Sequence, residues 1–258
     1  EGGDESLGGY ARYAWGRAAG RPTLALRALA LAGGLAARVP GRTRGPLNLA
    51  RRARKLHRTL HLPEAQRYLA WFDLFTAEER RSLHPGAEPL VEARMEELFR
   101  SAAALGLDGV QRLQYVDLRA FLLDDLLVKS DKLSMAHSLE VRVPLLDRAV
   151  VELGLALPPE DKVSLLRGKV LLRRLLRARF PLASLRPKRG FEIPVDAWFR
   201  GRETSGLGDD LARGRLVGSL GFSGPAVRDL FARHRRGEDL GRRLFALLTL
   251  ELWARRYA

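Results

Sequence analysis

From Pro63 onward, apolar residues recur at the three- and four-residue spacing of amphipathic helices. TAEERRSL (76–83) opens with a T-x-x-E start signal, whose two side chains can satisfy the free amides of a helix N-terminus. PLVEARMEELFRSAAALG (89–106) lines up Val91, Met95, Leu98, Phe99 and Ala102 on one face and stops at Gly106. VDLRAFLLDDLLVKSDKLSMA (116–136) places Leu118, Phe121, Leu122 and Leu126 on another. DRAVVELGLAL (147–157) and GKVLLRRLLRARF (168–180) predict two more helices, the second ended by Pro181. The last segment, DLGRRLFALLTLELWARRYA (239–258), is apolar nearly all round, which predicts a helix in a core or against a partner. EVRVPLL (140–146) is strand-like, but short and interrupted by Pro144. The pattern predicts a mainly α chain of roughly ten to thirteen helices.

Before Pro63 the pattern changes. Residues 11–58 are rich in arginine and broken by Pro22, Pro40 and Pro46, which predicts two short helices with loops between them. The most apolar run, LALRALALAGGLAARV (24–39), is shorter than the roughly 18–20 residues a membrane span needs and carries Arg27. No segment reads as a signal peptide. RRARKLHR (51–58) has no interleaved aromatic residues, so it reads as a solvated helix face rather than a nucleic-acid stacking platform.

Composition narrows the picture further. The 258 residues are 46% hydrophobic and 29% charged, as in a folded soluble protein. Cysteine is absent, which excludes disulfides, thiolate metal sites and a cysteine nucleophile from these residues and suits a reducing, cytoplasmic compartment. The formal charge of +15 is mostly arginine, since lysine occurs only at positions 55, 129, 132, 162, 169 and 188. Arginine abounds along with Ala, Leu and Gly throughout, so the charge follows composition and carries little functional meaning.

Three polar, glycine- or proline-marked segments are not explained by helix packing. In EGGDESLGGY (1–10), Glu1, Asp4 and Glu5 sit on a turn where Gly2 and Gly3 let backbone approach a ligand. Such carboxylates suit a hydrated Mg²⁺ that also holds a polyphosphate, and a flexible acidic terminus is the competing reading. KSDKLSMAHSLEVRVPLLD (129–147) gathers Asp131, Lys132, Ser134, His137, Glu140, Arg142 and Asp147 among small residues, as a pocket wall would. His137 alone reads as a structural hydrogen-bonding residue rather than a catalyst. LRPKRGFEIPVDAWFRG (185–201) holds Lys188 between Pro187 and Gly190, a setting that can aim an ammonium at phosphate.

Taken in order, these segments resemble the synthetase domain of glutamine-hydrolysing asparagine synthetases. That family reads E-G-x-D-E-x-F-G-G-Y, then D-R/K-x-S-M-A-x-S-x-E-x-R-x-P-F-L-D, then R-x-K-x-G-F-x-x-P-x-x-x-W. A closing H-x-x-G-x-D and L-E-x-W stretch follows. The counterparts here are EGGDESLGGY, DKLSMAHSLEVRVPLLD, RPKRGFEIPVDAW and HRRGEDLGRRLFALLTLELW. Departures are confined to Ser6 and Leu7, at an apolar and a Phe position, and to Leu145 at the Phe of P-F-L-D.

The resemblance implies the helical C-terminal portion of an α/β, PP-loop synthetase domain. The parallel sheet, the pyrophosphate loop and an N-terminal glutaminase domain would then lie upstream of residue 1. It implies ATP and Mg²⁺ as cofactors, and a carboxylate substrate, foremost aspartate, amidated through an acyl-adenylate with glutamine-derived ammonia. Residue by residue, Asp4 resembles the Mg²⁺-binding aspartate, with Gly2 and Gly3 in the same nucleotide-facing turn. Lys188 resembles the lysine on phosphate and pyrophosphate, and Glu1 the acid that assists ammonia attack. Asp131, Glu140 and Arg142 would line or brace the substrate side. Relatives with this domain that form β-lactam or macrolactam rings are an alternative, as is a basic helical nucleic-acid-binding protein. Nucleic acid is the weaker partner because no recognised binding motif occurs, no membrane partner is expected, and a homodimer is left open.

Overall fold

The computed structural model describes residues 1–20, 59, 61–164, 167–181, 193–201, 204 and 206–258, without the side chains of 15 and 18–20. These residues are mainly helical, with an isolated antiparallel bridge between Val163 and Gly168 and no strand among them. The expectation of a mainly α chain holds for them. Residues 24–39, 51–58 and Lys188 lie outside the described residues.

Several helix ends follow their sequence signals. Thr76 Oγ1 accepts the Glu79 amide at 3.2 Å while Glu79 Oε2 accepts the Thr76 amide at 2.8 Å, starting the helix Ala77–Leu83. The helix Leu90–Ala104 buries Met95, Leu98, Phe99 and Ala102, and the chain leaves it through Gly106 at φ 69°. Val91 departs from the predicted stripe, remaining exposed in the first turn.

One helix reading is corrected. Residues 116–136 do not form one α-helix. The helix Gly109–Arg119 ends at Ala120, Phe121–Leu127 winds as a π-helix, and α geometry resumes over Val128–Met135. The wider π turn rotates the side chains off the 3.6-residue register, so Leu122 is buried while Leu118, Phe121 and Leu126 are only partly so. EVRVPLL, short and interrupted by Pro144, forms no strand, in keeping with a mainly α chain. Pro144 has no amide to donate to a ladder, and Pro144–Leu146 is a single 3₁₀ turn.

The chain divides into two compact units. The first, Glu1–Trp71 with Leu90–Pro187, is organised on the helix Gly109–Arg119. Asp108 starts that helix, its Oδ1 accepting the Val110 and Gln111 amides at 2.8 Å each. The helix Ala11–Gly20 crosses closely because Gly16 has no side chain; a Cβ there would stand 2.3 Å from Leu113 Cδ1. A buried polar knot joins the two helices at Asp117. Its carboxylate accepts a bidentate pair from Arg12 at 2.8 and 3.0 Å, the Tyr68 hydroxyl at 2.6 Å and the Tyr13 hydroxyl. Four donors on one carboxylate compensate for taking its charge out of water.

The second unit, Phe72–Pro89 with Lys188–Ala258, packs Leu83, Val195, Phe199, Leu211, Leu216, Leu230, Phe231 and Leu244 into one core. The final helix, Gly241–Tyr257, buries Leu244 and Leu247 but leaves Leu252 and Trp253 exposed, so it is covered on one side only. Its buried Glu251 accepts the Arg215 and Leu216 amides at 3.2 and 2.8 Å and thereby caps the short helix Arg215–Gly218. Buried His234 bonds the Asp196 carbonyl at 3.1 Å and the Glu238 carbonyl at 3.0 Å. Asp196 Oδ1 in turn accepts the Gly241 amide at 2.8 Å. The H-x-x-G-x-D and L-E-x-W patterns therefore place structural staples here.

Candidate functional site

The acidic turn is built by glycines that admit neighbours no other residue would. Gly2 lies at φ 86°, and a Cβ on it would stand 2.3 Å from Leu146 Cδ2. A Cβ on Gly3 would stand 2.6 Å from Leu145 Cδ1. The leucines of V-P-L-L-D thus pack directly beneath E-G-G-D, which ties the first and second polar segments together. The chain then makes one helical turn, Gly3–Ser6, closed by the Ser6 amide on the Gly2 carbonyl at 2.9 Å and the Gly9 amide on the Asp4 carbonyl at 2.7 Å.

Asp4 projects from this turn over Gly9, where a Cβ would lie 1.8 Å from its Oδ1. The same oxygen is 3.2 Å from the ammonium of Lys169. Both side chains are partly exposed, at 26% and 31%, so the pair is reachable by a solvated ligand. Lys169 has a left-handed backbone, φ 54° and ψ 43°, immediately before the helix Val170–Arg179. A non-glycine residue held there stores strain of order 1–3 kcal/mol. Its amide donates to the Gly8 carbonyl at 3.0 Å, and Gly168 permits the approach because a Cβ there would sit 2.4 Å from that same oxygen.

Glu5 points the other way. It is buried, and its Oε1 accepts the Tyr10 hydroxyl at 2.5 Å. Burial, reinforced by that carboxylate, pushes the Tyr10 phenol far above its ordinary range and keeps it a donor. Beneath the turn, Gln114 Nε2 donates to the Glu5 and Ser6 carbonyls at 2.8 and 2.7 Å. Lys162, fully buried, donates to Gln114 Oε1 and to the Leu155 carbonyl, each at 2.9 Å.

The other residues singled out from sequence lie as follows. Glu1 is exposed, with Ser130 Oγ 3.4 Å from its Oε1, so its neighbour is the helix Val128–Met135. Asp131, on that helix, is exposed. Glu140 and Arg142 are exposed and pair with each other at 2.6 Å. His137 is exposed in the turn after the helix. Lys188 is outside the described residues. Sequence reading missed Lys169, taking G-K-V-L-L-R only as a helix start. The signal was the Gly-Lys step, a flexible residue followed by a cation at a helix N-terminus. It missed Lys162 and Gln114 as well, because both look like ordinary surface residues in a linear pattern.

Among the described residues no group of three or more His, Cys, Asp or Glu could hold a metal by itself, and no helix is long and apolar enough to cross a membrane. A sequence profile of the asparagine synthase family matches residues 1–255. Proteins of Mycobacterium bovis and Mycobacterium tuberculosis, provisionally named as glutamine-hydrolyzing asparagine synthetases, are 34% identical to this chain over 260 residues. The match covers 98% of this chain and 38% of theirs. The glutamine-hydrolyzing asparagine synthetase 1 of Bacillus subtilis is 30% identical over 139 residues, covering 54% of this chain and 22% of its own. No solved structure matches. The chain spans 38% of the length of the mycobacterial relatives, and nearly all of it is matched. With the acidic turn, its glycines and the V-P-L-L-D leucines joined as described, this chain belongs to the asparagine synthase family.

Proposed function

We propose that the complete protein joins ammonia to a side-chain carboxylate at the expense of ATP, with aspartate as substrate and asparagine as product. The observation that carries this reading is the partly exposed Asp4 carboxylate, aimed by a glycine turn and faced by Lys169 at 3.2 Å. Family membership and the names of the relatives support it.

The carboxylate oxygen attacks the α-phosphorus of ATP and pyrophosphate leaves. Ammonia then attacks the acyl carbon, AMP departs, and a base takes the surplus proton. Mg²⁺, when bound with the nucleotide, neutralises polyphosphate charge. The donor set fits it in one respect: Mg²⁺ held through substrate phosphates needs only one or two protein carboxylates, and Asp4 presents one over the space that Gly9 leaves open. Lys169 orients that carboxylate. Glu1, exposed beside Ser130, is the residue to assist ammonia. Lys188 is assigned to the leaving pyrophosphate, and Asp131, Glu140 and Arg142 to the substrate side. We place the pyrophosphate loop, its parallel sheet and a glutaminase domain, the source of ammonia, in the part of the relatives that this chain does not span. These residues would then be the C-terminal part of the synthetase domain.

The test is AMP and pyrophosphate formation by the complete protein, with ATP, Mg²⁺, glutamine and aspartate. Dependence on aspartate and loss in Asp4→Asn and Lys188→Ala are expected. Turnover that ignores aspartate but accepts another carboxylate would move the substrate within the family. No AMP with any carboxylate would sink the reading.

A further inference from the structure

A lysine with 0% exposure and no carboxylate in hydrogen-bonding contact is costly to keep, because its ammonium must be desolvated. Lys162 has that setting. Its Nζ donates to Gln114 Oε1 and to the Leu155 carbonyl, two neutral acceptors. Gln114, also at 0% exposure, spends both amide protons on the carbonyls of Glu5 and Ser6. A Cβ on Gly8 would lie 2.9 Å from the Lys162 carbonyl oxygen and 3.0 Å from its Cβ, so the same lysine also walls the far end of the turn. The turn that aims Asp4 is therefore held from below by one continuous chain of hydrogen bonds, Leu155 to Lys162 to Gln114 to Glu5 and Ser6.

We infer that Lys162 and Gln114 are positioning residues for the synthetase reaction, fixing the backbone of residues 3–9 so that Asp4 is presented at one place. The inference rests on the functional reading above, and its residues touch neither substrate nor nucleotide. A purely stabilising role is a poor match to the geometry. Both donors of Gln114 end on consecutive carbonyls of the Asp4 turn, and an apolar pair of similar size would fill the space without the cost of a buried cation.

Two variants of the complete protein separate positioning from packing. Gln114→Glu keeps an acceptor for Lys162 and supplies it a counter-charge, but has no proton for the Glu5 and Ser6 carbonyls. Lys162→Met with Gln114→Leu removes the whole polar chain and leaves apolar groups of similar size. Three readouts are taken on each: thermal unfolding, amide hydrogen exchange of residues 3–9, and kcat and KM for AMP formation. Positioning predicts unfolding within a few degrees of wild type for at least one variant, faster exchange at Ser6 and Gly9, and kcat lower by about 10- to 100-fold with a smaller change in KM for ATP. A folded variant with wild-type exchange, or with kcat within about twofold, overturns the inference. If both variants unfold together with their activity, the role is structural and the inference also falls. If wild-type protein forms no AMP, the functional reading fails on its own account. The exchange data then still decide whether Gln114 holds the turn.

Discussion

The ammonium of Lys169 lies 3.2 Å from Oδ1 of Asp4, across a space that Gly9 leaves open, while Gly168 lets the backbone before Lys169 approach the Gly8 carbonyl. These two residues are far apart in sequence, and each is set by local backbone: Asp4 by a glycine-rich turn, Lys169 by a left-handed residue before a helix. The pair is partly exposed, so its contribution to stability is about 0–1 kcal/mol, well below what a positioned charge can contribute to a reaction.

Substitution at Lys169 distinguishes those two effects. Lys169→Ala and Lys169→Gly both lose the ammonium, and both are predicted to lower AMP formation on the order of 100-fold. Their stabilities differ, because only glycine adopts φ 54° without strain. Urea denaturation should find the glycine variant more stable than the alanine variant by about 1 kcal/mol. Equal stabilities would mean that the left-handed backbone at this position is relaxed.

Filling the gap should disable the site while leaving the fold. In Gly9→Ala the new methyl lies 1.8 Å from Asp4 Oδ1 and 2.6 Å from Lys169 Cε, both in side chains that can swing aside. We predict a stability loss of about 1–2 kcal/mol with activity down on the order of 100-fold. Far-UV circular dichroism and AMP formation, measured on the same preparation, check it.

Stability should rise with pH between about 8 and 10. Burial lowers the Lys162 pKa to about 8, against a smaller opposing pull from Asp108. Below about 8 the folded chain carries the full cost of a buried ammonium. Between there and the ordinary lysine range the unfolded chain binds more protons than the folded one, so alkali favours the fold. Each unit of pKa difference corresponds to about 1.4 kcal/mol. Above about 10 the buried Tyr13 and Tyr68 phenols, pushed up by burial and by Asp117, stay protonated when folded but ionise when unfolded, and stability falls again. Denaturation midpoints at pH 7 to 11 test this, and in Lys162→Met the rise should vanish.

Cutting the polar knot of the first unit should be severe. Asp117→Ala takes the carboxylate from the buried Arg12 guanidinium and removes the acceptor that the Tyr13 and Tyr68 hydroxyls share. The predicted cost is about 3–5 kcal/mol by chemical denaturation. A cost below about 1 kcal/mol would show that water replaces the carboxylate, against the burial described here.

Helix type and several helix ends were legible in the chain itself. The Thr76 capping box, the stop at Gly106 and the stripe from Met95 to Ala102 all rest on interactions within one or two turns, which local order encodes. The π-helix at Phe121–Leu127 was not legible, because its residues are as compatible with α geometry and the winding follows from what they pack against. The acidic turn was visible as a motif, since glycines beside carboxylates are unusual enough to notice. What surrounds it was not.

The sequence by itself determined that the described residues are mainly helical, which short stretches are polar and marked by glycine or proline, and which family those stretches resemble, because each of these is a property of neighbours along the chain. Only the tertiary structure decided that Lys169 faces Asp4, that Leu145 and Leu146 lie under Gly2 and Gly3, and that Lys162 reaches the acidic turn through Gln114. Each of those contacts joins residues scores of positions apart. A lysine's sequence context does not say whether its long side chain ends in water or beneath the acidic turn; the packing of distant helices does.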